Sequence, residues 1–466
     1  MNAPLIWIGL PLLLAALLLF LPRDRWITYL GTFFSLSLAG IAFWLPPDTA
    51  RRLGSLSLKI DSTFPVLGRQ FTLGSSDQVV IILVYGIGAF WFFGTFVSGN
   101  ARRIIPMGLA ISALLIASIA IQPFLYAALL IEIAVLLTIP LLADPTQKAG
   151  RGLIRFLIYQ SFAMPFILFA GFLLAGVEAG PGDVALVGQA AILLGLGFAF
   201  LLSIFPFYSW IPLLAEETHP LAIGFILTIF PTFGLIFALN FIDQYSWMRD
   251  SAVLTNILLF AGLIMVVFAG VWAAFQHRQD RIFAFVAVAE TGLSLLALSL
   301  SDRQVGLQLA FYLIIPRSLA YGVWMLSLHI LKTNSAGLDF KDLQGIAHQY
   351  PVSSAGVVLA NLALAGFPLF ANFPIRQAIW ENLGSQSTQS ALWLGLAGIG
   401  LWVSAMRTLA VLTQAPGNTP WVSQETWSQR IQIGIGLVAM LVLGLFPQWM
   451  QIFLYNLPAL FEHLGK

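Results

Sequence analysis

Long apolar segments recur along nearly the whole chain, and they constrain its fold more than any other feature. Of the 466 residues, 59% are hydrophobic and only 9% are charged. A soluble domain carries roughly 25% charged residues, because polar side chains must cover its surface. A chain this poor in charge needs lipid as its solvent, and a bilayer core of roughly 30 Å takes about 20 apolar residues per helix. The sequence therefore predicts an integral membrane protein.

Backbone groups inside a bilayer must hydrogen-bond within the protein, which restricts the spanning structures to helices and closed barrels. The apolar segments here are continuous and lack the short alternating pattern of barrel strands. We therefore predict an all-α, polytopic membrane protein with about 14 transmembrane helices. The one long polar connection, residues 46–77, contains LSLKID and RQFTLGSSD. Their alternation predicts a short hairpin at the membrane surface.

No stretch of the sequence predicts a separate soluble domain, so we expect residues 1–466 to form a single transmembrane domain. Proline interrupts the apolar pattern at Pro206, beside the seventh predicted span (184–205), and at Pro368, inside the twelfth (352–373). Similar breaks five spans apart predict two related five-helix units, as in transporters with internal repeats. The alternative is two ordinary proline kinks. The predicted parts are N-terminal helices with the hairpin (1–98), a first five-helix repeat (104–242), a second (253–413) and a C-terminal helix (430–457).

The basic residues of the loops predict the orientation. Most of them, including Arg102, Arg278 and Lys341, lie in connections from odd-numbered to even-numbered spans. Cytoplasmic loops carry an excess of lysine and arginine. We therefore expect both termini on the non-cytoplasmic side.

Four ionisable residues fall inside or beside predicted spans: Glu132, Glu290, Arg317 and Arg376. A charge at the bilayer centre costs roughly 2.5–3.5 kcal/mol on insertion scales, so such residues usually face partners or water. One interpretation is a hydrated, charged proton path through the membrane interior. The alternative is two ion pairs that fix the packing of the helices. No lysine lies well inside any predicted span.

A weaker candidate lies just after the seventh predicted span, where Glu216, Glu217 and His219 cluster. They could collect protons at a channel mouth, although an ordinary solvated loop is the favoured interpretation. Beyond these, the sequence contains no phosphate-binding loop, metal-ligand cluster or nucleophile motif. It has no cysteine, which excludes thiolate ligation, and its net charge of +2 argues against nucleic acid as a partner. We expect no catalytic residue, cofactor or metal on this chain.

Three segments together resemble the antiporter-like membrane subunits of NADH:quinone oxidoreductase (complex I) and of Mrp sodium/proton antiporters. They are FPFYSWIPLLAEETHP (205–220), QHRQDRIFAFVAVAETGLSLLAL (276–298), and DLQGIAHQYP (342–351) followed by LALAGFPLFANFPIRQAIW (362–380). Each motif alone is weak, but their order and spacing match the family over roughly residues 75 to 410. The resemblance implies two inverted five-helix repeats with broken seventh and twelfth helices. It also implies a protomer packed edge to edge with similar subunits.

In that family a glutamate of the fifth helix and lysines of the seventh, eighth and twelfth helices form the proton path. Glu132 matches the glutamate, and Arg376 falls where the twelfth-helix lysine is expected. Glu290 falls where many members have a histidine or another polar residue. The seventh-helix lysine position is Leu201, and the eighth-helix position falls near Phe230 or Pro231. A leucine carries no proton and an arginine does not release one.

These departures predict a broken hydrophilic axis between Glu132 and Glu290, and little or no autonomous proton conduction. The alternative is a rerouted path that uses Tyr208, Glu216 and Glu217 at one mouth and the group Glu290, Arg317 and Arg376 further on. The resemblance thus implies an antiporter-like membrane subunit of a complex I-related assembly with a degenerate proton path. It would lie in the bacterial cytoplasmic membrane or another energy-transducing membrane. Its partners would be lipid and other membrane subunits, including related antiporter-like ones. Three rivals stay open: a non-conducting spacer, a subunit of a hydrogenase or inorganic-carbon uptake complex, and a stand-alone transporter of another fold.

Overall fold

The computed structural model describes residues 2–48, 50–53, 56–66, 68–143, 148–179, 184–414 and 420–464. The chain forms two compact units. Unit 1 comprises residues 1–207 and 229–240, and unit 2 comprises residues 208–228 and 241–466. This division follows packing, and the predicted repeats over 104–242 and 253–413 stay a prediction.

The helices account for most of the described residues. Those up to residue 244 are α1 (Leu10–Leu18), α2 (Asp24–Trp44), α3 (Gln78–Ser98), α4 (Ala101–Ala120), α5 (Ala127–Leu142), α6 (Arg151–Ala179), α7 (Val184–Leu201), α8 (Trp210–Glu217) and α9 (Pro220–Gln244). Those that follow are α10 (Ser246–Arg249), α11 (Ala252–Phe275), α12 (Gln279–Leu298), α13 (Arg303–Tyr312), α14 (Ile314–Thr333), α15 (Pro351–Leu364), α16 (Asn372–Gln386), α17 (Thr388–Thr413), α18 (Trp427–Leu445) and α19 (Pro447–Leu454).

Within the described residues, eleven helices are long and apolar enough to cross a membrane. Three shorter apolar helices cover Leu5–Leu18, Ala185–Leu201 and Pro351–Leu364. The all-α membrane fold is therefore confirmed, while the count of about fourteen transmembrane helices remains a prediction.

The polar connection before α3 differs from its prediction, because it forms two hairpins and not one. Strand β1 (Ala50–Leu53) pairs antiparallel with β2 (Leu56–Lys59), and β3 (Thr63–Val66) pairs antiparallel with β4 (Arg69–Thr72). Strand β4 also pairs with the short β5 (Ile121–Gln122). Gly68, with a φ of +74°, lies in the tight turn from β3 to β4. Since glycine adopts positive φ without strain, this turn lets the chain reverse before the predicted strand RQFT.

Both predicted helix breaks are confirmed. Helix α7 ends at Leu201, and α8 resumes at Trp210 after the segment that holds Pro206. Helix α15 ends at Leu364, and α16 resumes at Asn372 after the segment that holds Pro368. The predicted ends of these spans, 205 and 373, were wrong, because each broken helix has a second half. The last predicted span, 430–457, was also wrong at both ends. Helix α18 starts earlier, at a capping box formed by Thr426 and Gln429. It ends at Leu445, two residues before Pro447.

In unit 1, α2 packs on α3, α4 on α5, and α6 on α7. The hydroxyls of Thr28 and Thr95 lie 3.0 Å apart and join α2 to α3. At Gly171 of α6, a Cβ would lie 2.2 Å from the side chain of Leu125. Small residues at such contacts let helices approach closely in a membrane, where apolar burial gives no drive for association.

In unit 2, α11 packs on both α12 and α17, and α14 packs on α15 and α18. A Cβ at Gly270 of α11 would lie 2.6 Å from the carbonyl of Ala397 on α17. This glycine therefore permits backbone contact between the two helices. The start of α15 is held by Glu425, whose carboxylate accepts hydrogen bonds from the backbone N–H groups of Val352 and Ser353. An acidic group at a helix N-terminus satisfies free donors and complements the helix dipole.

Candidate functional site

Three of the four predicted intramembrane charges meet in the interior of unit 2. Glu290 of α12 is fully buried, and its side chain contacts Arg317 of α14 and Arg376 of α16. The Arg317 Nε donates to Glu290 Oε2 at 3.2 Å, and the Arg376 Nη2 donates to Glu290 Oε1. The two arginine side chains are only 6% and 11% exposed. We call Glu290, Arg317 and Arg376 the charge triad.

The triad is tied further to the backbone of α12. The Arg317 Nη2 donates to the Glu290 carbonyl at 2.8 Å and to the Ser294 hydroxyl at 2.6 Å. The sequence analysis did not single out Ser294. Ser294 could nevertheless have been identified, because it lies four residues after Glu290 and residues four apart share one face of a helix. Hydrogen bonds to charged groups are stronger than neutral ones, so these contacts hold the Arg317 guanidinium in one place.

The chemistry of the triad follows from its side chains. Arginine remains protonated in proteins, so neither guanidinium can release a proton. The Glu290 carboxylate lies between two fixed positive charges and satisfies one oxygen with each. A lysine, by contrast, can lose its proton when it is desolvated. The triad is therefore suited to hold a fixed field in the interior of unit 2 and not to pass protons along.

A row of buried neutral polar side chains also lies in unit 2. The Gln279 amide, at the start of α12, donates to the Thr408 hydroxyl of α17 at 2.9 Å. One turn earlier on α17, the Ser404 hydroxyl accepts a hydrogen bond of 3.2 Å from the Asn361 amide of α15. All four side chains are buried. Asn361 lies one turn before the break in α15, so the row runs from the start of α12 to that break.

The fourth intramembrane charge, Glu132 of α5, belongs to unit 1. Its Oε1 accepts a hydrogen bond of 2.7 Å from the Ser161 hydroxyl of α6. Its Oε2 is buried and has no hydrogen-bond partner within the described ranges. Among the residues that the structure describes, the hydrogen-bond partner of this acid is thus a neutral hydroxyl. The sequence did not identify Ser161, because the two residues lie 29 positions apart.

The expected lysine positions of unit 1 are apolar and closely packed. The side chains of Leu201 and Phe230 are 3% and 4% exposed. A Cβ at Gly234 of α9 would lie 3.3 Å from Leu201 Cγ. The Gln160 amide of α6 donates to the carbonyls of Phe200 and Leu201 at 3.4 and 3.2 Å. These carbonyls lie at the end of α7, where a helix leaves carbonyls without internal partners. The Phe200 carbonyl also accepts a hydrogen bond of 3.2 Å from the Ser203 N–H.

The predicted channel-mouth residues are not a solvated loop, since Glu216 and Glu217 form the last residues of α8. Glu216 accepts a hydrogen bond from Arg281 and lies 3.9 Å from Arg278, with 22% of its side chain exposed. Glu217 is exposed, and the ring of His219 lies 4.7 Å from that of His329. An ion-paired Glu216 is a poor proton collector, so the structure weakens that interpretation.

Arg278, in the loop before α12, also pairs with an acid close to it in the sequence. Arg278 donates two hydrogen bonds to Asp280, of 3.2 and 2.8 Å, and these raise the pKa of its guanidinium.

No cluster of three or more histidine, aspartate or glutamate side chains that could hold a metal ion is found in the part of the chain that the structure describes.

Comparison with known proteins places this geometry in a family. Residues 124–401 match the family described as NADH:quinone oxidoreductase/Mrp antiporter, TM. NADH-quinone oxidoreductase subunit N of Ectopseudomonas mendocina (strain ymp) is 25% identical over 325 residues, which cover 63% of each protein. The chain spans from about half to two thirds of the length of the curated relatives it matches, 54% in the subunit N of Deinococcus radiodurans.

Two solved structures have the same fold. One is a chain of the archaeal membrane-bound sulfane sulfur reductase, with a TM-score of 0.80, 15% identity and coverage of 100% of this chain and 99% of that one. The other is a chain of respiratory complex I from Thermus thermophilus, with a TM-score of 0.78, 18% identity and coverage of 99% and 100%. Because the family match covers more than half of its residues, the chain belongs to the membrane-protein family of NADH:quinone oxidoreductase and Mrp antiporters.

Proposed function

We propose that this chain is an antiporter-like membrane subunit of a complex I-related assembly, and that its proton path is degenerate. The curated relatives bear the name of a complex I subunit, and both solved structures are chains of respiratory membrane complexes. By this analogy its partners are lipid and other membrane subunits, related antiporter-like ones among them. Its membrane is the bacterial cytoplasmic membrane or another energy-transducing one, with both termini on the non-cytoplasmic side.

The charge triad is the observation that carries the proposal of an altered path. A proton relay needs successive groups that both accept and release protons. In unit 2 the basic members of the triad are arginines, which do not release them. Glu290 is held between these two cations, and each of its carboxylate oxygens accepts a hydrogen bond from one of them. The triad therefore provides a fixed electric field inside the membrane-spanning part of the chain.

Unit 1 supports the same proposal, because apolar side chains stand there in place of the expected basic groups. Leu201 and Phe230 occupy the positions where relay lysines are expected, and both are buried among apolar side chains. Glu132 keeps an acidic group, held by the Ser161 hydroxyl. One acid cannot form a relay without neighbours or water to pass the proton on. We infer that the middle of unit 1 is dry and that protons do not cross it.

Two alternatives have support of their own. The row of neutral side chains from Gln279 to Asn361 favours a rerouted path, because hydroxyl and amide groups can hold a water chain. The likeness to the sulfane sulfur reductase chain favours an assembly with a different redox partner, for which a hydrogenase or inorganic-carbon uptake complex also qualifies. A non-conducting spacer subunit is the limiting case of the proposed degenerate path.

Identification of the partners is the first test. The chain is tagged in its own host, extracted in a mild detergent and purified, and the subunits that co-migrate with it are identified by mass spectrometry. We expect at least one related antiporter-like subunit together with soluble redox subunits. Recovery of the chain alone, from a detergent that keeps other respiratory complexes intact, would refute membership of such an assembly.

A further inference from the structure

The charge triad carries one more positive charge than negative charge. Arg317 and Arg376 face the single carboxylate of Glu290; Glu290 and Arg317 are buried, and the Arg376 side chain is 11% exposed. The other buried acids described in unit 2 are engaged elsewhere. Asp280 pairs with Arg278, Asp243 accepts N–H groups from residues 462–464, and Glu425 holds the start of α15. A buried charge without a counter-charge is strongly unfavourable in a membrane protein.

Polar groups without partners lie on the same helix as one of these arginines. Asn372, the first residue of α16, is 1% exposed, and neither its amide nitrogen nor its amide oxygen has a hydrogen-bond partner among the described residues. The Nε of Arg376 is likewise buried and unpartnered there. The two residues are four apart, so they share one face of α16. Buried polar groups in native proteins nearly always have partners, so this pair indicates a ligand.

The start of α16 contributes mainly through its dipole. This helix has 15 residues, and no side chain caps its N-terminus. The Phe373 N–H donates to the Phe370 carbonyl at 3.0 Å, and Pro374 has no N–H, so the first turn offers few free backbone donors. The positive end of the helix dipole nevertheless lies here, and it favours an anion. Gly366, with a φ of +79°, lies against Arg376, since a Cβ there would be 3.0 Å from Arg376 Cδ. The glycine thereby lets the arginine stem pack against the break next to the helix start.

We propose that a small monovalent anion, such as chloride, binds at the N-terminus of α16 between Asn372 and Arg376. Water could accept hydrogen bonds from these donors, but it would leave the extra positive charge of the triad unbalanced. An anion does both. A cation is excluded by charge, and a divalent anion would overcompensate. This inference is independent of the proposed function, because it concerns the charge balance of unit 2 whatever assembly contains the chain.

The first test measures stability against halide concentration. The full-length protein, in its purified complex, is prepared in gluconate and titrated with chloride or bromide at constant ionic strength while thermal unfolding is followed. We expect a saturable rise in Tm for the wild type. Arg376→Gln and the near-isosteric Asn372→Leu should each weaken the apparent halide affinity at least tenfold. Arg303→Gln, which alters an exposed arginine of the same unit, should keep the wild-type response.

The second test does not depend on whether the variants fold. Crystals of the wild-type protein grown in bromide are measured at the bromine absorption edge. An anomalous peak beside Asn372 and Arg376 supports the proposal. Absence of a peak there at saturating bromide overturns it, as does a wild-type Tm that ignores halide or variants that respond like the wild type.

Discussion

The two broken helices of this protein show that a break in the backbone and a buried charge are separate features. Beside the break after α7, the amide of Gln160 donates to the Leu201 carbonyl, and the Leu201 side chain there is apolar. Beside the break after α15, the indole of Trp402 donates to the Ala365 carbonyl at 3.1 Å. Here the arginine of the charge triad, Arg376, packs against the break. Both breaks are stabilised by a neutral donor from an adjacent helix, and only the second has charge next to it.

This comparison suggests how such a fold can lose or alter proton transfer while keeping its shape. The broken helices depend on Pro206, Pro368 and their neutral capping partners, none of which needs to titrate. We propose that the charged groups of such a fold can then be replaced by leucine, as at Leu201, or by arginine, as at Arg376. We expect substitutions in the charge triad of unit 2 to act mainly on stability, and Glu132→Gln in unit 1 to change stability less.

The largest effect is expected for Glu290→Gln. This change leaves two largely buried guanidiniums without a carboxylate, and the loss of one partner from a buried ion pair typically costs about 3–5 kcal/mol. Glu381→Gln, in an exposed position on α16, is the control. Unfolding of the purified protein in detergent measures the difference. The double variant Glu290→Gln/Arg376→Gln should recover part of the loss. Equal stability of the two single variants would show that the triad is not an energetic unit.

The next effect concerns the apolar centre of unit 1. Leu201→Lys introduces a cation into a buried position beside Gly234, and a charge at the bilayer centre costs roughly 2.5–3.5 kcal/mol. Leu201→Met keeps the volume and should cost less than about 1.5 kcal/mol. Thermal unfolding and membrane yield compare the two variants. A stable lysine variant would mean that water or a counter-charge already reaches this position.

A smaller change in stability, with a change in activity, is expected for Glu132→Gln. The glutamine can still accept the Ser161 hydrogen bond, so the free energy of unfolding should change by about 1 kcal/mol or less. Activity or assembly of the complex should change more than with Asp61→Asn, which alters an exposed acid of unit 1. If both variants behave like the wild type, Glu132 has no role in the activity.

The last prediction concerns the orientation of the chain in the membrane, and it requires the mildest change to the protein. Cysteine labelling tests it. Since the sequence contains no cysteine, single cysteines can be introduced without a background. Cysteines at the exposed positions Arg102 and Lys341 should be shielded from an impermeant thiol reagent added outside the cells. One at the exposed position Gln304 should react. The reverse pattern would invert the assigned orientation and leave the fold intact.

The sequence predicted the membrane class, both helix breaks and the four intramembrane charges, because apolarity, proline and charge are local signals. It missed the second half of each broken helix, since α16 is rich in polar residues and resembles a loop by composition. It grouped Glu290 with Arg317 and Arg376 only as part of a rerouted path and could not give their contacts, because these residues lie 27 and 86 positions apart. Such contacts arise from helix packing and not from sequence spacing. One hairpin was predicted in the polar connection, where two form, because strand partners depend on the turns between them.

The central claim, that unit 1 has no continuous proton path past Leu201, is tested most directly by a map of the intact complex at a resolution that resolves waters. The account predicts ordered water close to the buried oxygen of Glu132 and none along the packed side chains of Leu201 and Phe230. A hydrogen-bonded chain of waters running from Glu132 past Leu201 through unit 1 would contradict it.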